Sequence, residues 1–406
     1  MTIRRRSRSA AGILSTALIV VLAGCGPQGA PPKAASAAPF KAGSATVGAH
    51  PYRPPACSNQ TRLASWSVAR LATQLVIVPV EEEDIAAAAP AVAQGVGGVL
   101  LFGSQAPLGT AASLQSLVRS APGGVGPLVM TDEEGGGVQR MANLVGRMPW
   151  ARQMAQTMSP GQVEALAKSV GARMLEAGVT MDLAPVADVD GGAGPNARNP
   201  DGMRSFSANP QIAATYALAF ADGLEAAGVI PVFKHFPGLG GANGNPDSGP
   251  AATQPYSSLV AGGLVPFRAA VAAGVPVVMV ANASVPGLTS SPASLSPVVI
   301  KGLLVQRMGF SGLVITDSLN AGAIQALHLS IPQAAVQAIA AGADMVMFNT
   351  SAPDTTLQNI AAAVETAVAQ GEISRATLVA AAGKVLATKR VDLCLSPELV
   401  PAPKTS

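Results

Sequence analysis

The sequence predicts a single (β/α)8 barrel of the TIM type, in the α/β class. Three observations carry that expectation: short, continuously apolar runs alternate with Ala- and Leu-rich helical stretches from about residue 60 onward, there are eight of them, and polar residues gather at their C-terminal ends. Hydrophobicity that is continuous rather than alternating marks strands covered on both faces, hence a parallel sheet under helices. Such barrels take ~250 residues or more, which this chain can supply. An open doubly wound sheet is the alternative, but no G-x-G-x-x-G follows the first run, which weighs against a dinucleotide domain.

In chain order the runs are "QLVIVPV" (74–80), "GGVLLF" (97–102), "PLVM" (127–130), "TMDLAPVADV" (180–189), "IPVFKHF" (230–236), "PVVMVAN" (276–282), "GLVITD" (312–317) and "ADMVMFN" (343–349). Between them lie segments such as "SPGQVEALAKSVGARMLEAG" and "NPQIAATYALAFADGLEAAG", each with a capping residue ahead of Pro and a Gly at its end. That is the punctuation of helices leading back into strands. Asp132 follows the third run, Asp188 ends the fourth, Lys234 and His235 the fifth, Asn282 the sixth, Asp317 the seventh and Asn349 the eighth. In a barrel these ends share one rim, where active sites are built, so residues far apart in sequence are expected to line one pocket. A helix cap or loop turn accounts for any one of these carboxylates but not for the set.

The flanks have a different character. Residues 1–24 have the form of a signal segment: Arg4, Arg5, Arg6 and Arg8, then the apolar "GILSTALIVVLAG", then Cys25. The "LAGC" resembles a bacterial lipobox, which implies lipidation of Cys25 and a mature protein anchored on the extracytoplasmic side of the cell membrane; an ordinary cleavable signal or a short anchor is the alternative. Residues 25–58 lack periodicity and are rich in Pro, Ala and Gly, so they read as a flexible tether, with His50 solvated. The barrel is expected over 59–395, followed by a tail at 396–406. Cys57 and Cys394 flank the apolar core and can join the two ends of the domain in an oxidising compartment; two unpaired thiols are the alternative.

With 49% hydrophobic and 12% charged residues, the 406-residue chain can bury a large core, which excludes disorder throughout. Removing the signal takes away four Arg, so the net charge passes from +3 to about −1. Nucleic acid is not an expected partner at that balance. No metal cluster, Cys-x-x-Cys or phosphate-cradling loop stands in the sequence, so no cofactor and no metal are expected. A monomer is expected.

Six motifs, in order, carry a family resemblance: "TDEEGGGVQR" (131–140), "MDLAPVADV" (181–189), "MRSF" (203–206), "KHFPG" (234–238), "PASLSP" (292–297) and "GLVITDSL" (312–319). Together they resemble the bacterial β-N-acetylglucosaminidases of glycoside hydrolase family 3, over roughly residues 60–390. The resemblance implies a pocket for a non-reducing N-acetylglucosamine, as in peptidoglycan fragments, and hydrolysis with retention. Asp317 in "ITDS" matches the family's nucleophile, and the residue type suits the role, since a retaining glycosidase needs a carboxylate beside the anomeric carbon. Asp132, Arg204, Lys234 and His235 match positions that grip sugar hydroxyls with charged groups. Arg140 and Asp188 match motif residues that can be structural, and His328, in "QALHLS", is expected at a surface or helix end.

The loop after "KHFPG" departs from the pattern. Where the family usually has Asp-Ser-His, with His as general acid/base and Asp orienting it, this chain has Asp247-Ser248-Gly249. Leu239, Asn282 and Gly137 also replace a His, a His and an Arg common in the family. Asp247 is therefore the expected acid from this loop, with a group from another loop, or sugar binding with little turnover, as alternatives. Protonation of the leaving oxygen is typically worth ~10²–10⁴ in rate, so the difference is consequential.

Overall fold

The structure, a computed structural model, describes residues 57–395. The signal segment, Cys25, nearly all of the tether with His50, and the tail 396–406 lie outside the described residues.

Eight parallel strands close into a barrel: β1 (Val76–Glu81), β2 (Gly98–Phe102), β3 (Leu128–Thr131), β4 (Met181–Asp182), β5 (Ile230–Phe236), β6 (Val277–Val280), β7 (Leu313–Ser318) and β8 (Met345–Met347). Strand β1 closes the ring by pairing with β2 on one side and β8 on the other, through Ile77↔Gly98 and Val76↔Val346. All eight expected runs contain a barrel strand. The fourth differs most in extent, because only Met181–Asp182 of the run 180–189 is regular. Pro185 has no N–H to donate, so the ladder breaks there. It continues as single bonds, with Val232 N–H donating to the Ala184 carbonyl and Ala187 N–H to that of Lys234.

Alternation of side chains across the strands divides the core in two. One set, including Ile77, Leu100, Met130, Met181, Val232 and Ile315, fills the barrel interior. The opposite set, with Val99, Val129, Phe233, Val278 and Val314, packs beneath the outer helices. Those helices start and stop where their caps dictate. Ser159 and Gln162 form a reciprocal capping box at Pro160–Glu176, and the Asn209 side chain accepts from Gln211 and Ile212 at Pro210–Ala227. Gly228 ends the latter helix at φ 89°, a left-handed conformation that costs a glycine little.

The last helix, Arg375–Thr388, covers the N-terminal ends of the strands. Its Lys384 pairs with Asp344, just before β8, at 2.9 Å, and Val385 joins the interior core. Just beyond it, Asn59 accepts from Leu393 N–H and donates to the Val391 carbonyl, each at 2.7 Å. Cys57 and Cys394 are disulfide-bonded here, with Cα atoms 5.9 Å apart across 337 residues of sequence. In the chain-entropy account a loop this long gives a stabilisation toward the upper end of the usual range. Replacing both cysteines with Ser is therefore expected to lower the unfolding free energy by about 2–5 kcal/mol while the circular dichroism of the folded barrel stays the same. Denaturant titration of the two proteins checks this; equal midpoints and slopes would show that Asn59 and Lys384 already hold the closure unaided.

Candidate active site

The C-terminal strand ends enclose a pocket of about 460 Å³. Asp132, Arg204, Lys234, His235, Asp247 and Asp317 all line it, so the structure brings together all six catalytic and sugar-binding residues expected from sequence.

Five charged side chains run across the pocket in alternating sign. Lys234, on β5, sends its buried Nζ to Asp132 Oδ1 at 2.8 Å and to Glu134 Oε1 at 2.6 Å. Arg204 grips Glu134 with both arms of its fork, Nε to Oε2 at 2.7 Å and a terminal nitrogen to Oε1 at 2.8 Å. At the other end Arg140 lies 3.8 Å from Asp132. Burial works against every one of the inner charges, but the partners win. Arg204 and Lys234 hold the Glu134 carboxyl well below the usual range, and Asp132 and Glu134 hold the Lys234 ammonium above its own. Arg204 was expected to offer its fork to the sugar. One edge of its fork pairs with Glu134, which offsets the cost of burying the guanidinium.

Local structure explains how these groups arrive. Asp132 and Glu134 sit at the end of β3 and in a small antiparallel hairpin of Glu133–Gly135 with Val138–Gln139. The hairpin turns through Gly136 (φ 60°), against which the Trp150 ring packs so closely that a Cβ there would lie 2.0 Å from it. The same ring sits 2.8 Å from where a Cβ on Gly137 would be, so the space for the Arg common in the family is taken. Arg204 comes from the short turn Gly202–Arg204, whose carbonyls at Gly202 and Ser205 are held by Arg152 at 2.8 and 3.1 Å.

Deeper in the site, Asp188 Oδ2 accepts both the His235 backbone N–H (3.1 Å) and pairs with His235 Nδ1 (2.7 Å), while Oδ1 accepts Leu239 N–H (2.6 Å). Asp188 thus has a defined structural task, orienting His235. Burial, then the positive charge of Arg204, lower the His235 pKa and keep the ring neutral. Leu239 itself is buried against Ala251, Ala281 and Ala283, an apolar lining in which a polar ring would lack partners.

Asp317 lies in β7 and accepts Ser318 N–H at 2.7 Å. It does not cap the next helix, which begins only at Gly322. Ser318 is clamped from two sides: Asn282 Nδ2 donates to its carbonyl at 2.7 Å, and its hydroxyl donates to Asn320 Oδ1 at 2.5 Å. Asn282, in turn, accepts from Ser294 Oγ at 2.6 Å, so it holds the end of β7 at the position where a His is common in the family. Burial first, and then the charge of Asp247, raise the Asp317 carboxyl above its ordinary value.

Asp247 is exposed, on a loop whose backbone docks onto the segment after β7: Gly322 N–H donates to the Asp247 carbonyl at 3.0 Å and Ala323 N–H to that of Pro246 at 2.9 Å. Gly249 follows with nothing within 4 Å of an added Cβ. His328 is exposed in the turn after Gly322–Gln325, as expected.

Sequence reasoning missed Glu134, Asp201 and Asn320. Glu134 was legible only as part of "TDEEGGGVQR", since nothing in that string names Arg204 and Lys234 as its partners. Among the described residues, Asp188, Asp201 and His235 form the one grouping of metal-ligand type, their donor atoms all within 4.8 Å of one another. Chemically, the pocket offers two carboxyl groups from different parts of the rim, Asp317 of β7 and Asp247 of the loop after β5, beside a dense set of donors and acceptors suited to a polyhydroxylated ring.

Residues 70–388 match the glycosyl hydrolase family 3 N-terminal domain. A beta-hexosaminidase of Mycobacterium tuberculosis, LpqI, is 39% identical over 294 residues, covering 68% of this chain and 72% of its own length. A solved glycosyl hydrolase of the same family from Mycobacterium smegmatis superimposes with a TM-score of 0.72 at 37% identity, over 80% of this chain and 98% of that one. The beta-N-acetylhexosaminidase of Beutenbergia cavernae gives a TM-score of 0.72 at 32% identity, over 81% of this chain and 100% of that one. The matched stretch spans the whole barrel, and the chain belongs to glycosyl hydrolase family 3.

Proposed function

We propose that the protein is a retaining, exo-acting glycoside hydrolase that releases β-linked N-acetylglucosamine from non-reducing ends, with peptidoglycan fragments as its source. The observation that carries this reading is the position of Asp317, fixed at the C-terminal end of β7 in the pocket with the Asp247 carboxyl close enough to raise its pKa. The hexosaminidase relatives support the choice of sugar. A lipid anchor at Cys25, supported by "LAGC", would hold the enzyme on the extracytoplasmic face of the cell membrane.

The residues divide the work as follows. Asp317 attacks the anomeric carbon and forms a covalent glycosyl-enzyme, the leaving oxygen takes a proton from Asp247, and water entering with Asp247 as base then releases the sugar. Lys234, with its charge secured by Asp132 and Glu134, donates to sugar hydroxyls. Arg204 donates to the sugar from the pocket lining while it holds Glu134. His235 meets the ring with the nitrogen that Asp188 leaves open. A second reading, sugar binding with little turnover, is favoured by one observation: the loop that supplies Asp247 has Gly249 where the family has its acid/base His.

Three outcomes check the proposal. A fluorinated slow glycoside is expected to label Asp317 covalently, as peptide mass mapping would show; a label on another residue would remove Asp317 from the role. Nitrophenyl-type leaving groups, which hardly need protonation, are expected to leave far faster than sugars, and Gly249→His is expected to narrow that gap by ~10-fold or more, since the position has open space. Sugar binding without turnover of any glycoside would favour the binding reading instead. The third outcome concerns pH. Asp317 must be ionised to attack, so labelling fades as pH falls through its raised pKa, and Asp247→Asn, by removing the like charge, is expected to move that acid limb to lower pH. A limb that stays put or moves up would show that the two carboxyls do not act on one another.

A further inference from the structure

Asp201 is fully buried, yet neither of its carboxylate oxygens has a donor. It stands one residue before the turn that delivers Arg204, and its side chain faces Asp188, with His235 inside the same cluster. The charged and titratable groups around it are Asp188, His235, Arg204 and Asp190. A bare carboxylate here would sit beside a second one, both out of water, and the Coulomb and desolvation terms would then add.

The bonding around Asp188 offers a different solution. A carboxylate accepts about four hydrogen bonds. Three are already made, two on Oδ2 from the backbone and ring of His235 and one on Oδ1 from Leu239 N–H. The fourth place is next to Asp201, which has a carboxyl oxygen within 4.8 Å of one of Asp188. Two carboxyl groups can bond only if one of them holds a proton. Asp188 receives N–H donors, so the proton belongs on Asp201.

We propose that Asp201 is a neutral carboxylic acid whose O–H completes the hydrogen-bond shell of Asp188, and that this shell locks His235 as the Nδ1–H tautomer with Nε2 left to the pocket as an acceptor. Burial, which raises both carboxyl groups, is consistent with the proton residing between them. The consequence for recognition is specific. The ligand group that meets His235 must be a donor, as a sugar hydroxyl is, and a carbonyl or an ionised oxygen at that place would be refused. Asp201 touches no ligand, and it acts as a positioning residue through Asp188. The inference rests on the proposed function only in taking the ligand to be a sugar.

The test reads the histidine directly and needs no turnover. The chain has three histidines, so the ¹⁵N signals of the His235 ring can be assigned by their loss in His235→Asn. Their pH titration is followed in the full chain and in Asp201→Asn. The amide keeps the shape, the neutrality and the donor, so the tautomer is expected to remain Nδ1–H and the His235 titration midpoint to agree within about 0.3 pH units, where loss of a buried neighbouring charge would move it by ~1 unit or more. Four results would overturn the proposal. These are an Nε2–H tautomer in the wild type, a fall in the His235 midpoint in Asp201→Asn that reveals a charged Asp201, failure of this isosteric variant to fold, and His235 signals that shift when EDTA strips a divalent ion from the wild type. If glycoside turnover proves absent while the tautomer and midpoint hold, the proposed function fails and the Asp201 assignment stands.

Discussion

An ammonium group buried at the mouth of a barrel has to be neutralised by whatever surrounds it, and at Lys234 this requirement organises the rim. An uncompensated buried charge costs several kcal/mol, so removing either acid would leave the lysine unstable where it stands. Asp132 and Glu134 answer it from the end of β3, and Glu134 in turn needs Arg204. Three parts of the chain, the β3 hairpin, β5 and the turn before Pro210–Ala227, are thereby drawn to one point. The pocket floor is rigid for an electrostatic reason before any packing argument is made.

The two ends of the barrel divide the labour that such folds usually divide. At the N-terminal strand ends, Lys384 with Asp344, Asn59 with the segment after the last helix, and the disulfide close the structure. At the opposite end, buried acids accumulate at a cost in stability. Burial lifts Glu82 and Glu133 to about 7, and it lifts Asp182 well above its ordinary value. A fold can carry such groups because the interior and helix-facing cores are extensive and apolar.

The fold was legible because strands covered on both faces must be apolar throughout, and eight such runs cannot be arranged in many ways. The limit of that signal is seen at 180–189, where the apolar run continues although Pro185 ends the regular ladder; hydrophobicity reports burial, and burial persists when hydrogen bonding becomes irregular. The site was legible as a set of polar residues at strand ends, with roles for Asp317 and Lys234 supplied by resemblance. Partnerships were not legible. That Arg204 pairs with Glu134, or that Trp150 fills the space beside Gly137, depends on distances between segments 13 to 70 residues apart, and no local pattern encodes them. Asp201 was invisible for the same reason, since an Asp in a Gly-, Asn- and Pro-rich loop looks like any solvated turn residue.

Because Cys57 and Cys394 are bonded, the described polypeptide is covalently a ring of backbone with its join on the face away from the pocket. A protease that cut once in a rim loop, for instance in the exposed stretch around Asp247, would turn the ring into a linear chain without freeing a fragment. Both strand sets flanking the cut would stay tethered through sulfur, at an effective concentration set by the fold itself rather than by dilution. The loops that carry the chemistry can therefore be nicked, or lengthened, with less risk to the assembly of the barrel than in an open chain.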